Sequence, residues 1–406
     1  MMRDERPDGL ERENRSAERR LEAYALPVMS GKNKGCLAAG LRTILSGLEV
    51  FYKKGVLSRK EKELASAEDP GLPVISVGNI TTGGTGKTPC IIALAQMLME
   101  EGRHPAILSR GYGGGMEQSG GIVSDGKALL ASPERAGDEP YMMAARLPGA
   151  AVLVGKDRIK SAERAKELGA DVLLLDDGFQ YWRMKRDLDI VLIDGTNPFG
   201  YGHVLPRGLL REPMEGLARA DVFIITKSDL ADSAGLADIT KTLMKYNPAA
   251  PVLKAVHKPI GALPFKDWQS HHRASLILPD RSPHYFLATA LGNPASVEES
   301  VKRMGYPLLD RRDYPDHYPF TEEDLHSLWE TARREYPKYF GDPGKDFLAK
   351  DLTEQGRLLM TEKDAVKMIS LKQAHGLTMG IDVFLMEFSF IDEGDEKIKQ
   401  QWEAFL

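Results

Sequence analysis

The sequence predicts an α/β fold with a mostly parallel β-sheet and helices on both of its faces. From residue 73 onward, short continuous runs of Val, Ile and Leu alternate with stretches of helical periodicity. Polar motifs follow the ends of several runs, and parallel sheets gather functional groups at that edge. A glycine-rich loop joins the first run to the helix that follows it.

The strands and helices can be placed in chain order. The predicted strands of the first half are Val74–Val77, Ala106–Leu108, Ala151–Val154, Val172–Leu175, Ile190–Ile193 and Val222–Thr226. Helices are predicted at Pro89–Glu101 and Ile159–Leu168. A second α/β pattern has strands near Tyr285–Ala290, Leu358–Met360 and Val383–Phe388.

We expect four parts along the chain. Residues 1–31 form a charged, flexible extension, and residues 32–58 form an amphipathic helix. Residues 70–275 form the larger α/β domain, and residues 280–406 form a smaller one. The stretch 259–283, rich in Pro, His and polar residues, is the predicted junction between them.

The composition excludes several classes of protein. The 406 residues are 42% apolar and 28% charged, as in ordinary globular proteins, and the net charge of −5 argues against a general nucleic-acid binder. Cys36 and Cys90 are the only cysteines, so a disulfide framework is excluded. We expect no signal peptide, because the charged N-terminus has no apolar segment, and no transmembrane helix.

The segment 32–57 allows two interpretations. Its apolar residues recur at helical spacing, and Lys and Arg residues flank them. The pattern alone favours a helix packed on the core of the protein, whereas a basic rim also suits a helix lying in a membrane interface. The apolar residues are Leu37, Leu41, Ile44, Leu48 and Phe51, and the basic ones are Lys32, Lys34, Arg42, Lys53 and Lys54.

The glycine-rich loop predicts nucleotide binding. Thr81 stands where the strict P-loop pattern requires glycine, but the strand, loop, Lys-Thr pair and helix occur in the required order. Lys87 can reach the β- and γ-phosphates, and Thr88 can supply a hydroxyl to Mg²⁺. The predicted phosphate-binding residues are Gly83, Gly84, Thr85, Gly86, Lys87 and Thr88.

Two further motifs end strands of the same sheet. Asp176 and Asp177 follow an apolar strand, which suits the second magnesium contact of a P-loop enzyme. Strand alternation sends them to different sides, so we expect only one to contact the metal, without deciding which. The "ITKSD" stretch, residues 225–229, is similar to a guanine-reading motif, but Thr226 replaces the required Asn.

Several shorter motifs offer polar side chains whose spacing alone does not establish a role. They are "LSRGYGG" with Arg110 and Tyr112, "GDEP" with Asp138, "GHVLPRGLLREP" with Arg207, Arg211 and Glu212, and "YPDHYPF" with Asp316 and His317. Each one is more often a salt bridge or a loop cap than a functional group.

Together these motifs resemble the tetraacyldisaccharide 4′-kinases of lipid A biosynthesis. The resemblance covers roughly residues 35–390, and the combination is specific although no single motif is. The matching motifs, in order, are "VGNITTGGTGKTP", "SRGYGG", "GDEP", "LDDGFQ", "LPRGLLREP", "TKSD", "LGNP", "DHYPF" and "TEKDAVK". The loop with Thr81 is the form that this family has.

The resemblance implies a membrane-associated kinase that uses ATP and Mg²⁺ to phosphorylate the 4′-hydroxyl of a tetraacylated glucosamine disaccharide 1-phosphate. Its site would lie in a cleft between a P-loop domain and a smaller C-terminal domain that closes over it. The implied catalytic residues are Asp138 as base, His317 as its partner, Lys87 and Arg110. The implied metal-side residues are Thr88, Asp176, Asp177 and Glu212, and the implied substrate contacts are Tyr112, Arg211 and Gln180.

The resemblance also implies a location and partners. It favours the membrane-interface interpretation of segment 32–57 and a peripheral or shallow attachment to the cytoplasmic face of the bacterial inner membrane. The expected partners are the lipid substrate and the membrane surface, without nucleic acid or an obligate protein partner. One departure is Tyr181, because the family usually has His after "DDGFQ".

Two other classes remain open at this point. A P-loop GTPase or ATPase of the metal-chaperone type would share the glycine loop, the strand-end Asp and "TKSD", although it usually carries Cys or His metal ligands. A nucleotide-dependent membrane scaffold without catalysis would explain the loop and the amphipathic segment but would not need Asp138 or His317.

Overall fold

The computed structural model describes residues 25–270, 276–316, 318–342, 355–369, 371 and 375–406. Within these residues one twelve-stranded sheet runs in the order β10-β9-β11-β12-β8-β7-β6-β1-β5-β2-β4-β3. The strands are β1 Val74–Asn79, β2 Pro105–Ser109, β3 Gly121–Asp125, β4 Ala151–Val154, β5 Val172–Asp176, β6 Leu188–Asp194, β7 Val222–Thr226, β8 Val252–Pro264, β9 His284–Thr289, β10 Leu308–Asp313, β11 Gly356–Thr361 and β12 Ile381–Ile391.

Helices connect most of these strands and cover the sheet. They are α1 Cys36–Ala65, α2 Lys87–Glu100, α3 Pro133–Ala136, α4 Asp138–Arg146, α5 Arg158–Glu167, α6 Ser233–Tyr246, α7 Phe265–Gln269, α8 Pro294–Arg303, α9 Glu322–Glu335, α10 Pro337–Phe340, α11 Glu362–Met368, α12 His375–Thr378 and α13 Gly394–Trp402. The predicted strands and helices are therefore present, with ends shifted by a few residues.

The centre of the sheet is parallel, as predicted. Strands β7, β6, β1, β5 and β2 are consecutive neighbours, and each pair between them is parallel. All of their residues are buried, which explains why their sequences are continuous apolar runs without alternation. Antiparallel pairing occurs between β3 and β4 at one edge and between β8 and β12.

The sheet continues across the predicted junction between domains. Strand β8 pairs with β7 on one side and with β12 on the other, so the C-terminal strands extend the sheet of the first half. One apolar cluster contains residues from both halves, such as Ile75, Leu94, Phe286 and Trp329. The stretch 259–283 contains the end of β8 and α7 rather than a linker throughout, and residues 271–275 lie outside the described part.

Helix α1 exposes the apolar face that the sequence predicts. Leu37, Ile44 and Phe51 are 85%, 62% and 73% exposed, and Ala38 is the buried residue of this helix. This face is therefore not covered by the core of the protein. No helix of the described residues is long and apolar enough to cross a membrane.

Candidate active site

Polar side chains end the five central strands. Because these strands are parallel, their last residues lie along one edge of the sheet. The strand-final residues are Asn79, Ser109, Asp176, Asp194 and Thr226. The apolar runs thus place five groups that can form hydrogen bonds around the loop that follows β1.

The glycine loop after β1 is open toward the outside. A Cβ atom at Gly83 or Gly84 would meet nothing within 4 Å, which leaves space for a ligand against the backbone. Gly83 and Gly86 have φ of 109° and 86°, in the region that favours glycine. Helix α2 begins at Lys87, so its positive end faces the same space.

Two residues of the "ITKSD" stretch form hydrogen bonds with the backbone of this loop. The Thr226 hydroxyl donates to the Thr85 carbonyl over 2.9 Å, and the Lys227 ammonium donates to the Gly84 carbonyl over the same distance. Lys227 also pairs with Asp194 at 2.5 Å. Thr226 and Lys227 thus hold the glycine loop, while Ser228 donates to the Ala255 carbonyl and Asp229 pairs with Arg303, so every residue from Thr226 to Asp229 has a structural contact.

Asp177 lies in a cationic pocket. Both of its carboxylate oxygens accept hydrogen bonds from the Arg211 guanidinium, at 2.6 and 2.7 Å, and the Lys87 ammonium is 3.5 Å away. Burial alone would raise the pKa of Asp177, but Lys87 and Arg211 outweigh it and hold that pKa well below its usual value. Asn79 completes the group, since its Oδ1 accepts from Lys87 at 3.2 Å and from Arg211 at 3.3 Å.

Asp176 has the opposite environment. It is buried and accepts a hydrogen bond from the Ser109 hydroxyl over 2.7 Å. Burial, together with the nearby negative charge of Glu139, raises the pKa of Asp176 to about 6. The two adjacent carboxylates therefore face different partners, because β5 ends at Asp176 and Asp177 follows it with φ of 52°. Among the described residues, the Asp176 carboxylate has no ion pair.

Glu139 links the two halves of the protein, and the sequence analysis did not single it out. Its carboxylate accepts a hydrogen bond from the Thr88 hydroxyl over 3.0 Å and lies 3.5 Å from the Lys363 ammonium. Lys363 in turn pairs with Asp316 at 3.2 Å. The "GDEP" and "TEKDAVK" motifs were visible signals, but the sequence could not show that Glu139 and Lys363 meet.

Asp138 begins α4 directly beside Glu139. Gly137 precedes it with φ of 88°, and this turn packs on the loop that carries Tyr112. A Cβ at Gly114 would lie 2.6 Å from the Gly137 nitrogen, so these two loops pack backbone against backbone. Tyr112 is 74% exposed, and the Arg110 guanidinium pairs with Glu117 at 2.7 Å.

Glu212 is buried and forms its hydrogen bonds with other residues of the protein. It is 2% exposed, and both of its carboxylate oxygens lie 2.9 Å from the Arg219 guanidinium. It also accepts from the Gln180 side-chain amide at 2.8 Å, and that amide donates to the Asn79 carbonyl at 2.9 Å. Glu212 thus holds Gln180 in place, and its charge is already neutralised by Arg219, which gives no support to its predicted role as a metal ligand.

Tyr181, the departure from the family pattern, is a buried structural residue. Its hydroxyl accepts from the Arg158 backbone N–H at 3.0 Å, and the Arg158 guanidinium lies over its ring at 4.9 Å. The guanidinium also donates to the Asp176 carbonyl at 3.4 Å. The predicted partner of Asp138, His317, lies outside the described residues.

The donors present fit a magnesium ion bound together with phosphates. No three Asp, Glu, His or Cys side chains of the described residues form a metal cluster of their own. Mg²⁺ usually takes one or two carboxylates and completes its shell with water and phosphate oxygens. The Thr88 hydroxyl, Glu139 and the buried Asp176 supply a set of that kind.

A family model and individual relatives point to the same family. A family model described as tetraacyldisaccharide-1-P 4′-kinase matches residues 41–346. A tetraacyldisaccharide 4′-kinase of Desulfatibacillum aliphaticivorans is 38% identical over 333 residues, 81% of this chain and 83% of that protein. One from Halothermothrix orenii is 35% identical over 86% of this chain and 88% of its own.

The same family appears among solved structures. The crystal structure of the "apo" form of LpxK from Aquifex aeolicus in complex with ATP is 26% identical. It superposes with a TM-score of 0.65 over 90% of this chain and 99% of that chain.

Proposed function

The chain belongs to the tetraacyldisaccharide-1-P 4′-kinase family. We therefore propose that the polar residues at the carboxyl ends of its central strands form the site that transfers the γ-phosphoryl group of ATP to the 4′-hydroxyl of a tetraacyldisaccharide 1-phosphate. The observation that carries this assignment of the site is the meeting of Lys87 and Thr88 with two carboxylate motifs at one place. Asp177 lies at Lys87, and Glu139 lies at Thr88 with Asp138 next to it. A kinase needs phosphate binding and a proton acceptor side by side.

The nucleotide side of the site is the glycine loop. Backbone N–H groups of residues 83–88 and the N-terminus of α2 would bind the phosphates of ATP, and Lys87 would neutralise the charge that develops on them. Thr88, Glu139 and Asp176 would hold Mg²⁺, which supplies further charge neutralisation when bound. Asp177 would instead keep Lys87 and Arg211 oriented, since both cations already contact it.

The acceptor side of the site lies around Asp138. In this proposal the Asp138 carboxylate accepts the proton of the 4′-hydroxyl as the oxygen attacks phosphorus, and His317 orients that carboxylate. Arg110 and Tyr112, on the loop packed against Gly137, would contact the substrate from the exposed side. The C-terminal half contributes Lys363, whose pairing with Glu139 supports closure of that half over the site.

The proposed location is the cytoplasmic face of the bacterial inner membrane. Helix α1 exposes apolar side chains and carries exposed lysines beside them, such as Lys53 and Lys54. Such a face binds an anionic membrane surface through apolar burial and charge attraction. The acceptor carries four acyl chains, so a protein attached at this surface would meet it there.

The test is phosphoryl transfer from γ-labelled ATP with Mg²⁺ to the lipid acceptor in mixed micelles. We expect labelled lipid from the wild type and a kcat about a hundredfold lower for Asp138→Asn, because the amide cannot accept the proton. Glu163→Gln removes an exposed carboxylate of α5 and should leave kcat unchanged. Steady ATP hydrolysis without labelled lipid would favour the metal-chaperone type of NTPase, and full activity of Asp138→Asn would remove it as the base.

Membrane attachment predicts a second result. The double variant Ile44→Ser with Phe51→Ser should bind anionic phosphatidylglycerol vesicles at least about tenfold more weakly, because each apolar side chain contributes about 1.5 to 3 kcal/mol when buried. Met244→Ser changes a comparably exposed apolar residue on α6 and should leave vesicle binding as it is. Equal binding of all three proteins in sedimentation with vesicles would contradict attachment through α1.

A further inference from the structure

A second face of α1, next to its exposed apolar residues, contacts the candidate active site. Tyr52 is half-buried and packs against the apolar cluster that contains Phe179 and Val191. Its hydroxyl donates a hydrogen bond to the carbonyl of Arg211 over 3.3 Å. Arg211 is the residue that binds Asp177 with two hydrogen bonds, so the helix reaches the backbone of a residue inside the site.

A second contact lies two turns further along α1. The Arg59 guanidinium donates to the carbonyl of Gln180 over 3.1 Å and lies 5.3 Å from the ring centroid of the buried Trp182. Glu63, one turn later, accepts from the Arg59 Nε at 2.8 Å and fixes its direction. Gln180 is the residue whose amide contacts both Asn79 and Glu212, so this contact also ends on the backbone of a site residue.

A third contact holds the segment that leads to Arg211. Glu49 accepts a hydrogen bond from the Val204 backbone N–H at 2.9 Å and lies 3.1 Å from the His203 ring nitrogen. The segment 203–212 is thus attached to α1 at its beginning through Glu49 and at its end through Tyr52. Three residues of α1, Glu49, Tyr52 and Arg59, therefore contact the two chain segments that carry Arg211 and Gln180.

We propose that Tyr52 and Arg59 are positioning residues for phosphoryl transfer, so that α1 orders the Arg211–Asp177–Gln180 side of the site besides carrying the exposed apolar face. The proposal rests on the function proposed above for that site. The physical basis is a restraint on the backbone. When a side chain of a rigid helix donates to the carbonyl of Arg211 or Gln180, it fixes the backbone of that residue and thereby restrains the side chain that acts in the site. A misplacement of a catalytic group by about 1 Å can lower the rate about a hundredfold.

The test separates the two faces of α1. Tyr52→Phe combined with Arg59→Gln should lower kcat in mixed micelles about tenfold, as expected for two hydrogen bonds of roughly 0.5 to 1.5 kcal/mol each. The KM for ATP should stay within about twofold, because the glycine loop is not contacted by either residue. Lys62→Gln removes the same charge from the same turn as Arg59→Gln and should leave kcat unchanged, so that it matches the effect of this charge on vesicle binding.

A mutant cycle distinguishes positioning from simple loss of stability. In the Arg211→Ala background, Tyr52→Phe should lower kcat by less than about twofold further, because the side chain that it positions is absent. If the double variant does not fold, Tyr52→Phe alone removes one oxygen atom, and a two- to threefold loss of kcat with an unchanged Tm is the expected result, as for one hydrogen bond.

Three results would overturn the proposal. The first is a wild-type kcat in both Tyr52→Phe and Arg59→Gln. The second is an equal fold-reduction of kcat by Tyr52→Phe with and without the Arg211 side chain. The third is a reduction of kcat that accompanies a reduction of vesicle binding. Failure of the proposed function looks different, because the wild type itself would then produce no labelled lipid.

Discussion

Lys87→Met should lower kcat for phosphoryl transfer by about three orders of magnitude, because it removes a cation that stabilises charge developing on the phosphates. Met has a similar length, so the volume next to Asn79 stays filled. Asp177 keeps its two hydrogen bonds from Arg211, and for this reason we expect the fold and the Tm to be preserved. The measurement is labelled-lipid formation at saturating ATP together with nucleotide affinity.

Its control is Lys160→Ala, which removes an exposed lysine of α5 and should change neither quantity. The two kinetic constants carry different information. A variant with normal kcat and only a raised KM for ATP would make Lys87 a group that binds substrate and transition state equally, contrary to the proposed role.

Asp176→Asn should abolish most of the activity and at the same time stabilise the metal-free protein at neutral pH. The carboxylate is proposed to hold Mg²⁺, so its loss removes a ligand. Its pKa of about 6 in the folded protein, raised by burial and by Glu139, means that ionising it there is unfavourable. Asn is neutral, and its Oδ1 can still accept the hydrogen bond of Ser109.

The sign of the pH dependence follows from proton binding. The folded protein binds the Asp176 proton more tightly than the unfolded chain, whose carboxyl has an ordinary pKa near 4. Stability therefore falls as the pH rises between these two values, and the penalty is complete above pH 6. About two pKa units correspond to roughly 3 kcal/mol at pH 8, and about half of this remains at pH 5.

Urea unfolding in a chelator at pH 5 and pH 8 measures this difference. Asp176→Asn should gain more stability over the wild type at pH 8 than at pH 5. The exposed Asp280→Asn should show little change at either pH. A less stable Asp176→Asn variant at pH 8 would mean that the ionised carboxylate is favourably held in the absence of metal, which would contradict the raised pKa of Asp176.

Much of the fold could be predicted because its signals are local. Strands Ala151–Val154 and Val222–Thr226 have the same bounds in the prediction and in the structure, since each is a short apolar run between polar residues. Strands β3 and β10 were missed. Their burial is mixed, and their sequences therefore lack the continuous apolar pattern. The long β8 was also missed, because its last residues, 259–264, contain two prolines and a glycine, which are typical of a junction.

The residues of the candidate site also differ in whether a local sequence motif reveals them. The glycine loop, the Asp pair and "GDEP" are contiguous motifs, so each was visible on its own. Glu139, Asn79 and Lys363 were not singled out, because what distinguishes them is a contact with a residue distant in sequence. Asp138, His317 and the metal ligands stay predictions, and Asp138→Asn and Asp176→Asn test two of them.

The amino-acid sequence alone determined the parallel α/β class, the glycine loop and the family, because hydrophobic periodicity and motif spacing can be read from the order of residues. Tertiary structure decided that Asp177 faces Lys87 and Arg211 while Asp176 lies in a buried, acidic environment. It also decided that one face of α1 is exposed and that the neighbouring face contacts Arg211 and Gln180. The physical reason is that charge, burial and hydrogen bonding depend on distances through space, and folding brings together residues more than a hundred positions apart, such as Tyr52 and Arg211.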